Sequence, residues 1–369
     1  MERPEPKPSR PNVLFISRKW PPAVGGMETY SVELCTELSR LTPLSKRVLQ
    51  GRADGYPPRP AALLFFIVTT AFFLLTRSRD YDVVHFGDLV LFPLAWLHAQ
   101  RHPASQRFIT VHGLDLIYGN RRGLGPALYR RFLHWAHRRP AAVNLFIANS
   151  ENTARLATDA GFDPVKAIPL GVRSQERPLC VHDPQYPPYV LFVGRLVPRK
   201  GAAWFARSVL PNLPPELKFR VIGKVWDPQE AALLSDNPRV ELLGYVDQAE
   251  LDRHRAGCLA IVMPNRTSPD LTDVEGFGIA ALEAARDGIP ILASAIEGII
   301  DAIVNGTTGF LLPENDVHAW VTSLQRIQRW SPKQRRDYAN TAAATVARRY
   351  TWLRVAQQTL AAYQAGRTS

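Results

Sequence analysis

Residues 270 to 283 read Asp-Leu-Thr-Asp-Val-Glu-Gly-Phe-Gly-Ile-Ala-Ala-Leu-Glu, a stretch that combines a glycine turn, a helix start and two carboxylates, Glu275 and Glu283, eight positions apart. Gly276 and Gly278 flank Phe277 directly before the apolar run Ile279 to Leu282, so backbone N–H groups at a helix N-terminus can face an anion there. If the helix begins at the turn, eight residues advance roughly 800°, about 80° past two full turns, and both side chains can face one cleft. Two carboxylates so placed suit either an acid and base pair or two grips on a ligand with hydroxyl-rich ends and an anionic middle.

Three other places carry similar chemistry. The apolar strand Tyr189 to Val193 runs into Gly194-Arg195 and then Lys200-Gly201, before a helix from Ala202. An arginine and a lysine at a strand's carboxyl end read as a diphosphate clamp, the arginine a planar fork and the lysine a mobile point charge, or as two surface cations in a basic loop. His112-Gly113 follows the strand Arg107 to Val111 and is either a site residue or a turn histidine bonded to backbone. Gly25-Gly26 lies between the strand Asn12 to Ser17 and the amphipathic run Met27 to Leu41, where open α/β sheets bind ligands, although a glycine pair also serves any tight turn.

The elements that must hold these residues alternate between short apolar strands and helical stretches, which argues parallel sheets with helices on both faces. Further strands are expected at Tyr81 to Phe86, Val143 to Ser150, Phe219 to Gly223, Val240 to Gly244, Leu259 to Met263 and Ile289 to Ser294, with Phe310 to Pro313 as a last edge strand. Val317 to Trp330 and Lys333 to Tyr363 read as largely helical. A chain of 369 residues is long for one core, so two domains are expected. Residues 1–11 form a charged, proline-rich leader with no apolar core of a signal segment; residues 12–172 form the first domain. The linker 173–188 holds four prolines, the second domain covers 189–350, and 351–369 is a terminal segment.

Ala61 to Thr76 is apolar around its whole circumference, but sixteen residues fall short of the about 20 needed to span a bilayer. It reads as a helix packed in the first domain, with a helix lying in a membrane interface as the alternative that the flanking Arg59, Arg77 and Arg79 keep open. The segment Arg121 to Arg139, rich in arginine and aromatics, is either a surface helix or part of a face that meets an anionic surface. Residues 1–172 carry 22 Lys/Arg against 13 Asp/Glu, a balance of +9, and the remainder 23 against 20, or +3, which together make the net +12. Such a field attracts nucleic acid, anionic lipid or phosphorylated substrates without choosing among them, and a solvated basic surface is the plain alternative. Cys35, Cys180 and Cys258 show no metal or redox spacing and read as reduced thiols of a cytoplasmic protein.

Gly25-Gly26, His112-Gly113, Gly194-Arg195 to Lys200-Gly201, and Glu275-Gly-Phe-Gly-Ile-Ala-Ala-Leu-Glu283, in this order, resemble the retaining glycosyltransferases of family 4 over residues 12 to 365. The resemblance implies the GT-B architecture, two Rossmann-like α/β domains facing across a cleft, with a final helix at about Thr351 to Tyr363 that crosses back onto the first domain. It implies a nucleotide-sugar donor and a metal-independent, cofactor-free hexosyl transfer with retention. In that pattern Arg195 and Lys200 neutralise the departing nucleotide diphosphate, Glu283 binds ribose hydroxyls, and Glu275 with the N–H groups of Phe277 and Gly278 holds the donor sugar. Gly194 and Gly276 belong to the donor-binding loops, His112 lies beside the sugar ring, and Gly25 and Gly26 let the first loop approach the phosphates. The two glutamates are then two grips on one donor. The acceptor is expected to be lipid-linked or a polysaccharide; the basic first domain and the apolar 61–76 stretch add the expectation of peripheral contact with an anionic membrane, with no nucleic acid partner. A nucleotide-sugar epimerase of the same fold and a non-catalytic partner subunit are the alternatives. One departure is the loop Lys224-Val225-Trp226-Asp227 after Gly223, where relatives usually have a second glycine, and it leaves UDP against GDP open.

Overall fold

Strands with no polar face must lie between two layers of helices, and the first of them sets the pattern. Val13, Leu14, Phe15 and Ile16 are all buried, as a central strand of a parallel sheet requires. In the computed structural model, which describes residues 10–23, 25–52, 58–174, 179–180, 182 and 187–366, this strand is β1 (Val13–Trp20). It is joined by β2 (Leu44–Gln50), β3 (Val83–Phe86), β4 (Gln106–Val111), β5 (Leu145–Ala148) and β6 (Val165–Ala167) in a six-stranded parallel sheet of order β2-β1-β3-β4-β5-β6. The second sheet contains β7 (Tyr189–Val193), β8 (Lys218–Ile222), β9 (Val240–Gly244), β10 (Ala260–Met263), β11 (Ile291–Ser294) and β12 (Phe310–Leu312). Its order is β12-β11-β10-β7-β8-β9, also parallel throughout, with the chain reversing direction across the sheet between β7 and β10. That reversal is a switch point, outside whose strand ends ligands of open sheets sit.

Strand β2 is absent from the sequence expectation. It carries Ser45, Lys46, Arg47 and Gln50 and is only half buried, because it forms the sheet edge, so no apolar run announces it. The chain folds as two compact units, residues 1–170 with 352–369, and residues 171–351. The leader at 1–9 and most of the linker, at 175–178, 181 and 183–186, lie outside the described residues. Within the described part of the linker, the Cys180 N–H donates to Asp287 O at 2.8 Å, which ties it to the second unit. Val172 bridges Thr351, so the outgoing and returning chain segments run side by side there.

The final helix, Trp352–Ala365, belongs to the first unit, where it packs on α1 (Gly26–Leu41). Its fully buried Tyr363 hydroxyl hydrogen-bonds His85 Nδ1 at 2.5 Å, while His85 Nε2 bonds Thr110 Oγ1 at 2.7 Å. Burial, reinforced by His112, lowers His85 to about 3, so its ring is neutral and serves as a structural link between β3, β4 and the returning helix.

The helix α2 (Pro60–Thr76) is packed in the first unit, as the sequence leads one to expect, but on one face only. Among the described residues of the helix only Phe66, Thr70 and Leu74, spaced by four, are buried, on the face that packs inward. Leu64, Phe65, Val68 and Phe72 lie on the outward side, 65%, 72%, 57% and 65% exposed, so one face is core and the other is an uncovered apolar stripe. Among the described residues no helix is long and apolar enough to cross a membrane.

Candidate functional site

The loops after β7, β8, β10 and β11 lie at the carboxyl edge of the second sheet, and their glycines explain how closely they pack. Gly201, at φ +71°, packs so tightly that a Cβ would lie 1.8 Å from Pro264 O, and a Cβ on Gly223 would lie 1.8 Å from Gly194 O. Larger residues would push the loops apart. The 3-10 turn Pro198–Lys200 then delivers two cations toward Glu275.

Glu275 is the centre of this cluster. Its Oε2 accepts from Lys200 Nζ in a short ion pair and from Asn265 Nδ2 at 3.1 Å, with Arg199 Nη2 3.8 Å away. Burial alone would raise the Glu275 carboxyl, but Lys200 and Arg199, with the hydrogen bonds from Lys200 and Asn265, hold it below the usual carboxylate range. Arg199 also meets Asp273 at 3.2 Å and Glu297 at 3.7 Å. The Glu275 N–H donates to Glu297 Oε2 at 2.5 Å, and the Gly298 N–H donates to Glu275 O at 3.1 Å.

Lys200 and Glu275, read from sequence as serving a phosphate and a sugar, are therefore in direct contact. Arg195 is exposed at the end of β7, with its guanidinium 5.3 Å from the centre of the Trp226 ring. Trp226 belongs to the loop whose sequence departs from the usual glycine pattern. Its own N–H and that of Asp227 donate to Leu196 O, which fixes the loop beside Arg195.

The helix after the glycine turn is Ile279–Arg286, with Gly278 at φ +90° as its N-cap. Glu275 precedes the helix and is not on its surface, so the single-helix geometry that brings both glutamates to one face does not apply. Glu283 sits on the helix itself and accepts from Arg255 Nη2 at 2.6 Å, while Glu275 hangs from the loop with Lys200. Phe277 is 2% exposed and anchors the turn in the core, leaving only its backbone for a ligand. Gly194 and Gly276 sit in the two loops as expected of the sequence, Gly194 donating its N–H to Ile222 O at 2.9 Å.

In the first unit, His112 follows β4 and is largely buried. Its Nε2 lies 2.9 Å from Gly87 O, so Nε2 carries the proton and Nδ1 is the nitrogen able to accept. Its backbone N–H donates to Asp115 Oδ1 at 2.9 Å, and Tyr30 packs edge-on at 5.1 Å. The backbone-bonded reading of His112 thus describes its ring. Asp115 itself is raised by burial, against the pull of His112. Gly26 begins α1, and Gly25 is its N-cap, extended at φ −178°; a Cβ there would lie 2.6 Å from Glu28 Oε2, so the glycine makes room for that carboxylate.

Sequence reasoning missed Arg199, Asn265, Glu297 and Arg255. Arg199 has a visible signal, a second cation beside Lys200 in a strand-end loop. Glu297-Gly298 follows β11 in the same way, whereas Asn265 and Arg255 carry no signal beyond their place.

Residues 24–176 match the description Glycosyltransferase Family 4, and residues 187–329 match Glycosyl transferases group 1. A GDP-mannose-dependent alpha-(1-6)-phosphatidylinositol monomannoside mannosyltransferase of Mycolicibacterium smegmatis is 32% identical over 355 residues, covering 85% of this chain and 88% of that protein. The chain belongs to glycosyltransferase family 4. A D-inositol 3-phosphate glycosyltransferase of Nocardioides sp. is 27% identical over 258 residues, 61% of this family 4 chain, which spans about half of that relative's length (54%). The sucrose-phosphate synthase structure from Thermosynechococcus elongatus superimposes with a TM-score of 0.74 at 20% identity, over 96% of this chain and 99% of that one, and shares the GT-B fold.

Proposed function

We propose that this chain transfers a hexosyl group, with retention and without a metal, from a nucleotide diphosphate sugar to a lipid-linked or polysaccharide acceptor. The observation that carries the reading is the cluster of Lys200, Arg199, Asn265 and Glu275 at the strand ends beside the glycine turn. Cleavage of the anomeric C–O bond puts negative charge on the departing diphosphate and positive charge on the ring. Arg195, Lys200 and the N-terminus of the helix Ile279–Arg286 supply donors for the diphosphate; Glu275 and Glu283 hold hydroxyls of sugar and ribose. Lys200 then divides its bonds between Glu275 and the phosphate. On the family pattern His112 is assigned to the sugar, and the acceptor attacks the same face with the leaving phosphate as base.

The named relatives are transferases, which favours transfer over epimerisation, and the mannosyltransferase makes GDP-mannose the first donor to try beside UDP-glucose. Removing one donor aimed at developing charge costs about 2.7–4 kcal/mol of barrier. Arg195→Ala, Lys200→Ala and Glu275→Ala are each expected to lower transfer by roughly 100- to 1000-fold, with wild-type transfer unchanged by chelator. Wild-type rates in all three variants would overturn the assignment.

The acceptor side of the proposal places the first unit against an anionic membrane at the cytoplasmic face. The uncovered stripe of α2, with Arg59, Arg77 and Arg79 around its ends, supports it, because an exposed apolar face with basic flanks can be seated in the headgroup boundary of an anionic membrane.

A further inference from the structure

Among the described residues, three that are not glycine have positive φ, and one of them, Glu297 at +51°, sits in the turn after β11 beside the candidate site. A residue with a Cβ is strained in that region and persists there only where its surroundings hold it. What holds Glu297 is Glu275. Turning through the left-handed region points the Glu297 carboxylate back at the loop before the glycine turn, where Oε2 accepts the Glu275 N–H at 2.5 Å. The next residue completes the clamp, since the Gly298 N–H donates to Glu275 O at 3.1 Å. Contact this close needs glycine at 298, where a Cβ would lie 2.2 Å from Gly276 O.

The same carboxylate also carries charge to the cluster. Arg199 is 8% exposed and lies between Asp273 at 3.2 Å, Glu297 at 3.7 Å and Glu275 at 3.8 Å, so three carboxylates share one guanidinium. Lys200 is the second cation, paired with Glu275. With Glu297 ionised, Arg199 is drawn partly away from Glu275. With Glu297 neutral, Asp273 and Glu275 divide Arg199 between them, and Glu275 is held harder by its own protein.

We propose that Glu297 is a positioning residue for the donor-site carboxylate, fixing the Glu275 backbone from the 297–298 turn and balancing Arg199 so that Glu275 can release its cations to a ligand. The proposal rests on the reading of Glu275 as a donor-binding group. Burial raises the Glu297 carboxyl, against the Glu275 N–H and Arg199, and the neighbouring Glu275 and Asp273 carboxylates add to the rise. Glu275 is held low. As pH falls, Glu297 therefore takes up a proton before Glu275 does, and the proposal predicts that this protonation sets the acid limb of the rate profile.

The test uses full-length Glu297→Gln and Glu297→Gly. Each is followed by hydrogen exchange of the amides at 274–278 and by consumption of UDP-glucose and GDP-mannose against pH. Glu297→Gln keeps an oxygen for the Glu275 N–H but loses the charge. It is expected to keep near-normal exchange, to turn over about tenfold more slowly, and to lack the wild-type acid limb. Glu297→Gly is relieved of strain and folds, yet is expected to exchange the Glu275 amide at least tenfold faster and to lose at least tenfold in rate, while affinity for free UDP or GDP stays within twofold. Wild-type exchange in Glu297→Gly, or an unshifted acid limb in Glu297→Gln, overturns the proposal. If the wild-type protein consumes neither sugar nucleotide, neither is its donor and that part of the proposed function fails, and exchange at 274–278 alone then decides the role of Glu297.

Discussion

Replacing Phe65 and Phe72 together by serine isolates the outward stripe of α2 from the fold beneath it. Both rings are mostly in solvent, 72% and 65% exposed, so their loss removes little packing and stability should change by about 0.5 kcal/mol or less. In a headgroup boundary the same rings would be seated. Fully burying a phenylalanine is worth about 1.5–3 kcal/mol, so the exposed parts of these two contribute about 1–2 kcal/mol each. The pair then amounts to about 3 kcal/mol, a factor of about 100 in partitioning. Arg77→Ala/Arg79→Ala acts through a different force. Each arginine near an anionic surface contributes about 1 kcal/mol, so this pair costs roughly 30-fold at low salt. That cost fades at about 1 M salt, where the screening length is about 3 Å. Sedimentation with vesicles of neutral lipid, and of neutral lipid mixed with anionic phosphatidylglycerol, reads both effects. The serine pair should lose binding at every salt concentration, and the alanine pair only at low salt. A wild-type protein that stays in solution with anionic vesicles at low salt, or a serine pair that sediments like wild type, refutes the reasoning.

Two further outcomes follow from the interior. His85 and His98 are both lowered to about 3 by burial, below the usual 6.5, so the unfolded chain binds more protons than the folded one between those values. Stability is therefore fully present above about pH 6.5 and falls as pH drops toward 3, by up to about 1.4 kcal/mol per pH unit for each histidine; melting temperature against pH checks this, and His85→Gln should flatten the slope. Gly201→Ala forces a Cβ against Pro264 O at positive φ, so we expect a lower melting temperature for the second unit and loss of transfer, whereas wild-type values for both would show that the loop can yield.

Much of the second unit was legible because its strands are short, apolar and separated by glycine loops. The glycines that mark the site are glycines for packing reasons, as Gly201 and Gly223 show, so motif and geometry coincide there. What escaped was set by contact between segments far apart in sequence. Glu297 is 22 positions from Glu275, and nothing in its neighbourhood shows that its backbone turns left-handed. Arg255 reaches Glu283 from another helix in the same way. The α2 segment was legible as a helix of the first unit, but not which of its faces is covered. An all-apolar helix reads as core whichever way it faces, and only the sheet's position determines that Phe66 goes in and Phe65 stays out. The edge strand β2 is the converse, too polar to be noticed.

The return of the last helix has a consequence for synthesis on the ribosome. Tyr363 completes the bond to His85, yet it is made only after the 181 residues of the second unit, 171–351, have been translated. At about 5–20 residues per second that interval is roughly 10–35 s. Throughout it, the nascent first unit has α1 without its covering helix and Tyr30 without Trp352, an apolar face open to chaperones. The unit that begins first is thus the one that finishes last, and a premature stop near the end of the message would damage the half of the molecule translated earliest.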